Sequence, residues 1–345
     1  MGKTEEEKKK RHSQSVSRKI ERKKWREGRD RIRRQLRKTA KAGRVAEYPK
    51  VLKDKRYWRI TIPEVFSIIE NTDETLSFFS KVNSLAAKRR KIKFDFSEAR
   101  KISPDAILYI LSIFDYLKNQ YGELWVEGNV PKNPECRELL IESGFLTKVY
   151  SSSRFPKTNS NILAIESDSL VKPEIAKKVI DFAEGHIQNP QKTNSKSIYN
   201  ALIECMSNTN NHAYNDIPDE KRNIARRWHL MAVYHGASNS VSFTFLDNGS
   251  SIPKTIRKKF RERLIGLIKP QDSALILSAL HGDFRTQTEL GWRGKGLPSI
   301  YDDWRNQTIS NLKIVSRKGY VDCQGKRILD MPKSFKGTLL NWDFV

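Results

Sequence analysis

Residues 195–212 read SKSIYNALIECMSNTNNH, and this segment decides how the C-terminal half of the chain is interpreted. Its apolar residues recur at helical spacing, which predicts a helix with one face in a core. A polar stripe, Glu204, Asn208, Asn211 and His212, projects from another side of the same helix. An asparagine oxygen can ligate Mg²⁺, and a glutamate one turn away can polarise a water or hydroxyl that attacks a phosphoryl group. Since polar stripes of this kind usually face water, the pair needs support from elsewhere in the chain.

That support comes from glycine-containing segments downstream. Alternating patterns predict strands at Trp228–Tyr234 and Val241–Leu246, joined by a hairpin turn. The second strand runs into Asp-Asn-Gly-Ser-Ser-Ile-Pro at 247–253, and a carboxylate at a strand end suits the exocyclic amine of adenine. GWRGKGLPSI at 291–300 offers glycines through which backbone amides can approach phosphate, and the N-terminus of a following helix. Lys-Gly-Thr at 336–338 then precedes a closing strand, Leu339–Phe344.

The ordered set E-x3-N, D-x-G-x-x-I, G-x-G-L and G-T resembles the GHKL (Bergerat-fold) superfamily of gyrases, mismatch-repair ATPases, histidine kinases and anti-sigma-factor kinases. It is most similar to the anti-sigma-factor kinases. The resemblance covers residues 161–345 and implies ATP and Mg²⁺ as cofactors. It gives Glu204 the catalytic role, Asn208 the Mg²⁺ site, and Asp247 the adenine contact, with Thr338 nearby. The remaining nucleotide-binding residues that it implies are Gly249, Ile252, Arg285, Thr286, Thr288, Arg293, Gly294, Lys295, Gly296 and Leu297.

Two further features follow from this resemblance. The stretch from Lys254 to Trp292 would contain a mobile ATP lid. Ser251 stands where the family usually has a glycine, which a serine can replace if the backbone there is ordinary. None of the histidines has the sequence context of a phosphoacceptor, so a phosphohistidine relay is disfavoured.

The first half of the chain alternates predicted strands and helices, which indicates a small α/β layer. Strands are predicted at Trp58–Phe66 and Ile92–Phe96, and helices at Asp73–Arg89, Asp105–Asn119 and Asn133–Ser143. The stretch Lys93–Val149 resembles a STAS domain, the fold of anti-sigma-factor antagonists. That family's phosphorylated serine begins a helix, and Pro104-Asp105 stands there in this sequence, so phosphorylation of this domain is not expected.

Charge is concentrated at the N-terminus. Residues 1–60 hold 24 Lys and Arg against 8 Asp and Glu, a net charge of +16 out of +25 for the chain. The basic segment within residues 1–46 has few apolar residues to bury, so it is disordered or a solvated helix until a partner neutralises it. Nucleic acid, a solubilising tail and a membrane surface all remain open as its role.

Several classes of protein are excluded or disfavoured by absent motifs. The sequence has no P-loop lysine motif, no Gly-x-Ser-x-Gly elbow and no zinc-ligand cluster. It has no apolar run long enough to span a bilayer and no secretory signal, and its three cysteines lie far apart. A cytoplasmic protein is therefore expected, with no membrane partner.

The predicted fold class is thus α/β and α+β. The expected order is a basic arm (1–56), a STAS-like α/β domain (57–150), a linker (151–160) and a GHKL α/β sandwich (161–345). In that sandwich, helices would cover one face of a mixed, mostly antiparallel sheet. The expected function is a Mg-ATP-dependent switch with slow ATP hydrolysis and a protein partner. A serine/threonine kinase of the anti-sigma-factor type and a nucleic-acid-binding regulator stay open as alternatives, as does a homodimer.

Overall fold

A computed structural model of the protein describes residues 51–54, 57–122, 126–150, 161–187, 192–212, 227–260, 270–284 and 296–344. Contacts between Cα atoms divide the chain after Tyr48 and make Pro49–Val345 one unit. The linker predicted at 151–160 and residues 1–50 of the basic arm lie outside the described residues. The arm is predicted to extend to residue 56, but Val51–Asp54 is a strand paired with Tyr57–Thr61, so this boundary is wrong. None of the described helices has both the length and the apolar character needed to cross a membrane.

Residues 51–150 form an N-terminal layer of alternating strands and helices, as the sequence predicts. Its strands are β1 (Val51–Asp54), β2 (Tyr57–Thr61), β3 (Val65–Phe66), β4 (Ile92–Asp95), β5 (Lys101–Ile102) and β6 (Val126–Gly128). Its helices are α1 (Thr72–Ala86), α2 (Pro104–Tyr121), α3 (Pro134–Glu142) and α4 (Phe145–Tyr150). The small sheet has the order β1-β2-β4-β6; β2, β4 and β6 are parallel, and β1 is antiparallel to β2. β3 and β5 pair separately.

The single strand predicted at Trp58–Phe66 is wrong, because the chain leaves the small sheet between β2 and β3. Pro63 lies in this break, and proline has no backbone N–H to offer a sheet ladder. The two resulting strands therefore join different partners, β2 with β4 and β3 with β5.

Helix α2 is buried on all sides along its first half. Ser103 precedes it as N-cap, Pro104 occupies its first turn as predicted, and Gly122 ends it with a φ of +80°. Every residue from Asp105 to Ile113 is buried, including Asp105 and Ser112. A helix that is buried on all sides must have structure packed on more than one face.

Residues 161–344 form a C-terminal layer around a seven-stranded sheet, here called the large sheet. Its strands are β7 (Ile162–Asp168), β8 (Trp228–His235), β9 (Ser240–Asp247), β10 (Ser310–Ser316), β11 (Gly319–Asp322), β12 (Arg327–Asp330) and β13 (Thr338–Phe344). Its helices are α5 (Pro173–His186), α6 (Lys192–His212), α7 (Ile252–Lys259), α8 (Asp272–His281) and α9 (Gly296–Arg305). The strand order is β12-β11-β10-β13-β9-β8-β7. Every described pair in this sheet is antiparallel, so the expected mixed sheet is corrected to an antiparallel one.

Both faces of the large sheet are covered, not one face as predicted. On one face, α5, α6, α8 and α9 bury an apolar core that includes Trp228, Leu230 and Phe243. The intervening residues His229, Met231 and Thr244 are buried as well. Helix α2 of the N-terminal layer packs on β8 and β9. On the second face, α2 therefore covers β8 and β9, which explains why α2 is buried all round.

Candidate functional site

Helix α6 brings Glu204 and Asn208 together one turn apart. The side chain of Asn208 and the backbone N–H of Gly296 face the Glu204 carboxylate as hydrogen-bond donors, and both lower its pKa. Burial raises the pKa of Glu204 above its ordinary value, and the two hydrogen bonds oppose this shift only in part. A carboxylate that is partly desolvated and poised toward proton uptake has the properties of a general base.

The orientation of Asn208 follows from the chemistry of its partner. An ionised carboxylate has only acceptors, so the amide NH₂ group of Asn208 must point toward Glu204. The amide oxygen is then left for another ligand. A hard oxygen of this kind suits Mg²⁺, so the residues present fit the cation that the sequence resemblance implies.

Gly296 begins helix α9 directly opposite this pair. A Cβ atom at this position would lie 3.1 Å from Oε1 of Glu204, and the residue has a φ of +23°. Glycine therefore lets the helix start approach the carboxylate closely. The structure thus unites the E-x3-N segment with the end of the G-x-G segment.

Asp247 ends strand β9 in the interior of the large sheet. Its side-chain oxygen Oδ1 accepts a hydrogen bond of 2.9 Å from the backbone N–H of Gly249, and the residue is 7% exposed. Its cross-strand neighbours are Trp228 in β8 and Thr338 in β13. Burial raises the pKa of Asp247 from 3.8 to about 7.

The buried thiol of Cys205 links the two carboxylates in space. Burial raises its pKa, and the negative charges of Glu204 and Asp247 both raise it further. Glu204 is the neighbour of Cys205 in α6, and Asp247 ends β9, so the charges that act on this thiol come from two different elements. The α6 pair and the β9 end together make one candidate site.

The segment before β13 closes that site from the side of Thr338. Gly337 has a φ of +95°, and a Cβ atom there would lie 1.9 Å from the backbone oxygen of Asp247. Ser316 at the end of β10 donates to the Gly337 oxygen (3.0 Å) and accepts from the N–H of Ile252 (3.0 Å). Its hydroxyl also lies 3.1 Å from that of Thr338. Ser316 thus ties together three segments, and the sequence carries no sign of this role beyond a serine at a strand end.

Ser251 adopts an ordinary backbone conformation at the position where the resembled family has glycine. Its φ is −67°, and its hydroxyl accepts a hydrogen bond from Lys254 N at 3.4 Å as the N-cap of α7. A left-handed conformation is therefore not needed here, and serine supplies a cap that glycine lacks. Ile252, next in the chain, packs partly buried against the core, as does Leu297 in α9.

Six of the predicted nucleotide-binding residues lie outside the described residues: Arg285, Thr286, Thr288, Arg293, Gly294 and Lys295. Within the stretch expected to contain the lid, helix α8 is built into the core through Leu275, Ile276 and Leu280. Its start is fixed by Asp330, whose carboxylate accepts hydrogen bonds from the first backbone N–H groups of α8. Helix α8 therefore belongs to the packed core of the C-terminal layer, although it lies within the stretch predicted to contain the lid.

No protein-family model matches the chain, and no curated protein matches it.

Proposed function

We propose that the protein binds Mg-ATP at the site formed by Glu204, Asn208, Asp247, Gly296 and Thr338, and that it hydrolyses ATP slowly. In this proposal the nucleotide acts as a switch that changes how the protein engages a partner protein. The proposal extends the sequence resemblance to the GHKL superfamily. An antiparallel sheet with the site-bearing helix α6 packed on one face supports that assignment.

The observation that carries the proposal is the carboxylate of Asp247. Among the described residues, its one hydrogen bond comes from Gly249, and no described cation pairs with it. A buried carboxylate with so few donors is costly unless a ligand supplies another. The exocyclic amine of adenine is a neutral donor that meets this need, and Thr338 offers a hydroxyl beside it.

Hydrolysis is assigned to Glu204 from its surroundings. A water oxygen attacks the γ-phosphorus, the bond from that phosphorus to the bridging oxygen breaks, and the water proton passes to Glu204. The products are ADP and inorganic phosphate. The raised pKa of Glu204 favours uptake of this proton. Bound Mg²⁺, held by the Asn208 amide oxygen, would neutralise phosphate charge.

The test measures ATP affinity by calorimetry and phosphate release for the full chain with Mg²⁺. We expect Asp247→Ala to weaken binding at least about tenfold, since a buried charge-assisted hydrogen bond is lost. Glu204→Gln should keep binding and slow phosphate release by about 10²- to 10⁴-fold. Asp302→Ala, at an exposed position on α9, is the matched control and should resemble the wild type.

The same experiment separates the alternatives. Labelled γ-phosphate that ends on a protein and not in free phosphate would replace the ATPase assignment with a kinase. Nucleic-acid binding that is lost on removal of residues 1–46, in a chain with no ATP affinity, would refute the nucleotide site altogether. An affinity unchanged in Asp247→Ala would remove the adenine contact.

A further inference from the structure

Helix α2 of the N-terminal layer touches the strand end that carries Asp247. The side-chain Nδ2 of Asn248, the residue after Asp247, donates a hydrogen bond of 3.3 Å to the backbone oxygen of Ser112 in α2. Asn248 and Ser112 are both buried. The strand end that carries Asp247 is thus held on one side by a helix of the N-terminal layer.

The same helix also touches the segment that leads into Thr338. The hydroxyl oxygen of Tyr109 accepts a hydrogen bond of 3.0 Å from the backbone N–H of Lys336. The Tyr109 ring stacks on Phe335 with centroids 4.4 Å apart and meets Phe79 of α1 edge-on at 4.5 Å. Tyr109 therefore joins the N-terminal layer to the residues directly before Gly337.

These two contacts come from one face of α2 and reach two neighbouring strands. Tyr109 and Ser112 lie three residues apart, which places them side by side on a helix. Asp247 and Thr338 are direct partners in the pairing of β9 with β13. The backbone of Gly337 lies too close to that of Asp247 for the two segments to shift independently.

We propose that Tyr109 and Asn248 are positioning residues for the nucleotide site, and that adenine binding at Asp247 is thereby coupled to the seating of α2 on the large sheet. This inference rests on the proposed function. Coupling between two sites is reciprocal, so a nucleotide that fixes the strand ends must also stabilise the docked helix. The N-terminal layer then forms one side of the site, and a partner that binds this layer changes the affinity of the protein for ATP.

The test uses the full chain and compares Tyr109→Phe with Tyr234→Phe. The first variant removes the acceptor for Lys336 and keeps the stacked ring. The second removes a hydroxyl bonded to Asn239 at the far end of the β8–β9 hairpin. We expect Tyr109→Phe to weaken Mg-ATP binding about two- to tenfold, the range of one lost hydrogen bond, and Tyr234→Phe to leave it unchanged. Asn248→Ser provides an independent second variant.

Hydrogen exchange gives a readout that a purely structural role would not change. Mg-ATP should slow amide exchange in residues 104–121 of the wild type, with α3 (134–142) as an internal reference, and should not do so in Asp247→Ala. The coupling is refuted if the wild type binds ATP, Tyr109→Phe and Asn248→Ser bind it with the same affinity, and ATP does not change amide exchange in α2. The nucleotide site itself would then stand. If the wild type binds no ATP, the proposed function itself fails.

Discussion

Nucleotide affinity should depend on pH through Asp247. Burial raises the pKa of Asp247 from 3.8 to about 7 in the nucleotide-free protein. Only the ionised carboxylate is a full acceptor for the adenine amine. With a pKa of about 7, the ionised fraction is about one eleventh at pH 6 and about ten elevenths at pH 8, so affinity should be about tenfold weaker at pH 6.

The pH dependence of protein stability has the opposite sign to the pH dependence of ATP affinity. A group whose folded pKa is raised holds its proton in the folded state after the unfolded chain has lost it. The contribution of Asp247 to stability is therefore fully present below pH 3.8 and is lost as pH rises to about 7. Without nucleotide, this residue should make the protein less stable over the range in which ATP affinity increases.

Other groups that titrate near pH 7 must be separated from Asp247. The terminal phosphate of ATP is one. Among the described residues, Lys336 is another, since burial lowers its pKa to about 7. Protonation of Lys336 would favour an anionic ligand at low pH, opposite to the effect of Asp247. The Asp247→Asn variant keeps the contributions of the ATP phosphate and of Lys336 to the pH dependence, but its residue 247 cannot titrate. Its amide oxygen can still accept a hydrogen bond from adenine.

The assay is a titration with labelled ATP at pH 6, 7 and 8 in excess Mg²⁺, for the wild type and Asp247→Asn. The ratio of the two affinities isolates the carboxylate. We expect this ratio to move about tenfold in favour of the wild type from pH 6 to pH 8. A ratio that stays flat, or that moves in the other direction, would refute the claim that an ionised Asp247 receives the adenine.

Substitutions at Gly337, Ser251 and Gly296 test the local geometry, and Gly185→Ala and Ser251→Gly serve as matched controls. Gly337→Ala should lower the free energy of unfolding in urea by about 3 kcal/mol or more, because its Cβ meets β9 backbone at 1.9 Å. Gly185→Ala, in open space on α5, should instead be neutral or stabilising by up to about 1 kcal/mol. Ser251→Ala should cost about 0.5–2 kcal/mol through its lost cap, whereas Ser251→Gly should cost a few tenths and leave ATP affinity unchanged. Gly296→Ala should displace Glu204, 3.1 Å from the new Cβ, and slow phosphate release about tenfold with a smaller change in affinity. Equal losses in both quantities would contradict this placement.

Local patterns were sufficient to predict the site-bearing elements. The helix predicted at Ser195–His212 is observed as Lys192–His212, and the predicted hairpin strands are observed as Trp228–His235 and Ser240–Asp247. Helical periodicity, strand alternation and a polar hairpin turn are all properties of neighbouring residues. The same holds for the first turn of α2 at Pro104, which depends on one residue type.

What depends on distant contacts could not be predicted in this way. Strand β8 is buried on both faces, although its alternation suggested a core face and a solvent face. Helix α2, which covers this strand, lies more than a hundred residues earlier in the chain. The local pattern of residues in β8 therefore gives no indication of it. The role of Ser316 has the same cause, because its partners Ile252, Gly337 and Thr338 come from two other segments.

Asp105 explains why α2 can serve as a fixed support for the site. Its buried carboxylate accepts hydrogen bonds from the backbone N–H groups of Ile68 (2.7 Å), Ile69 (2.9 Å) and Ala106 (2.9 Å), and from the hydroxyl of Ser67 (3.1 Å). The anion that a helix N-terminus favours is thus supplied by the chain itself. An internal carboxylate therefore occupies the start of α2, the position where the STAS resemblance would put a phosphoserine. A helix anchored at its start by four donors cannot easily change its tilt, and Tyr109 and Ser112 follow within its next two turns. If α2 moves when nucleotide binds, the movement must therefore involve α1 and the 67–69 turn as well, so the N-terminal layer responds as a body.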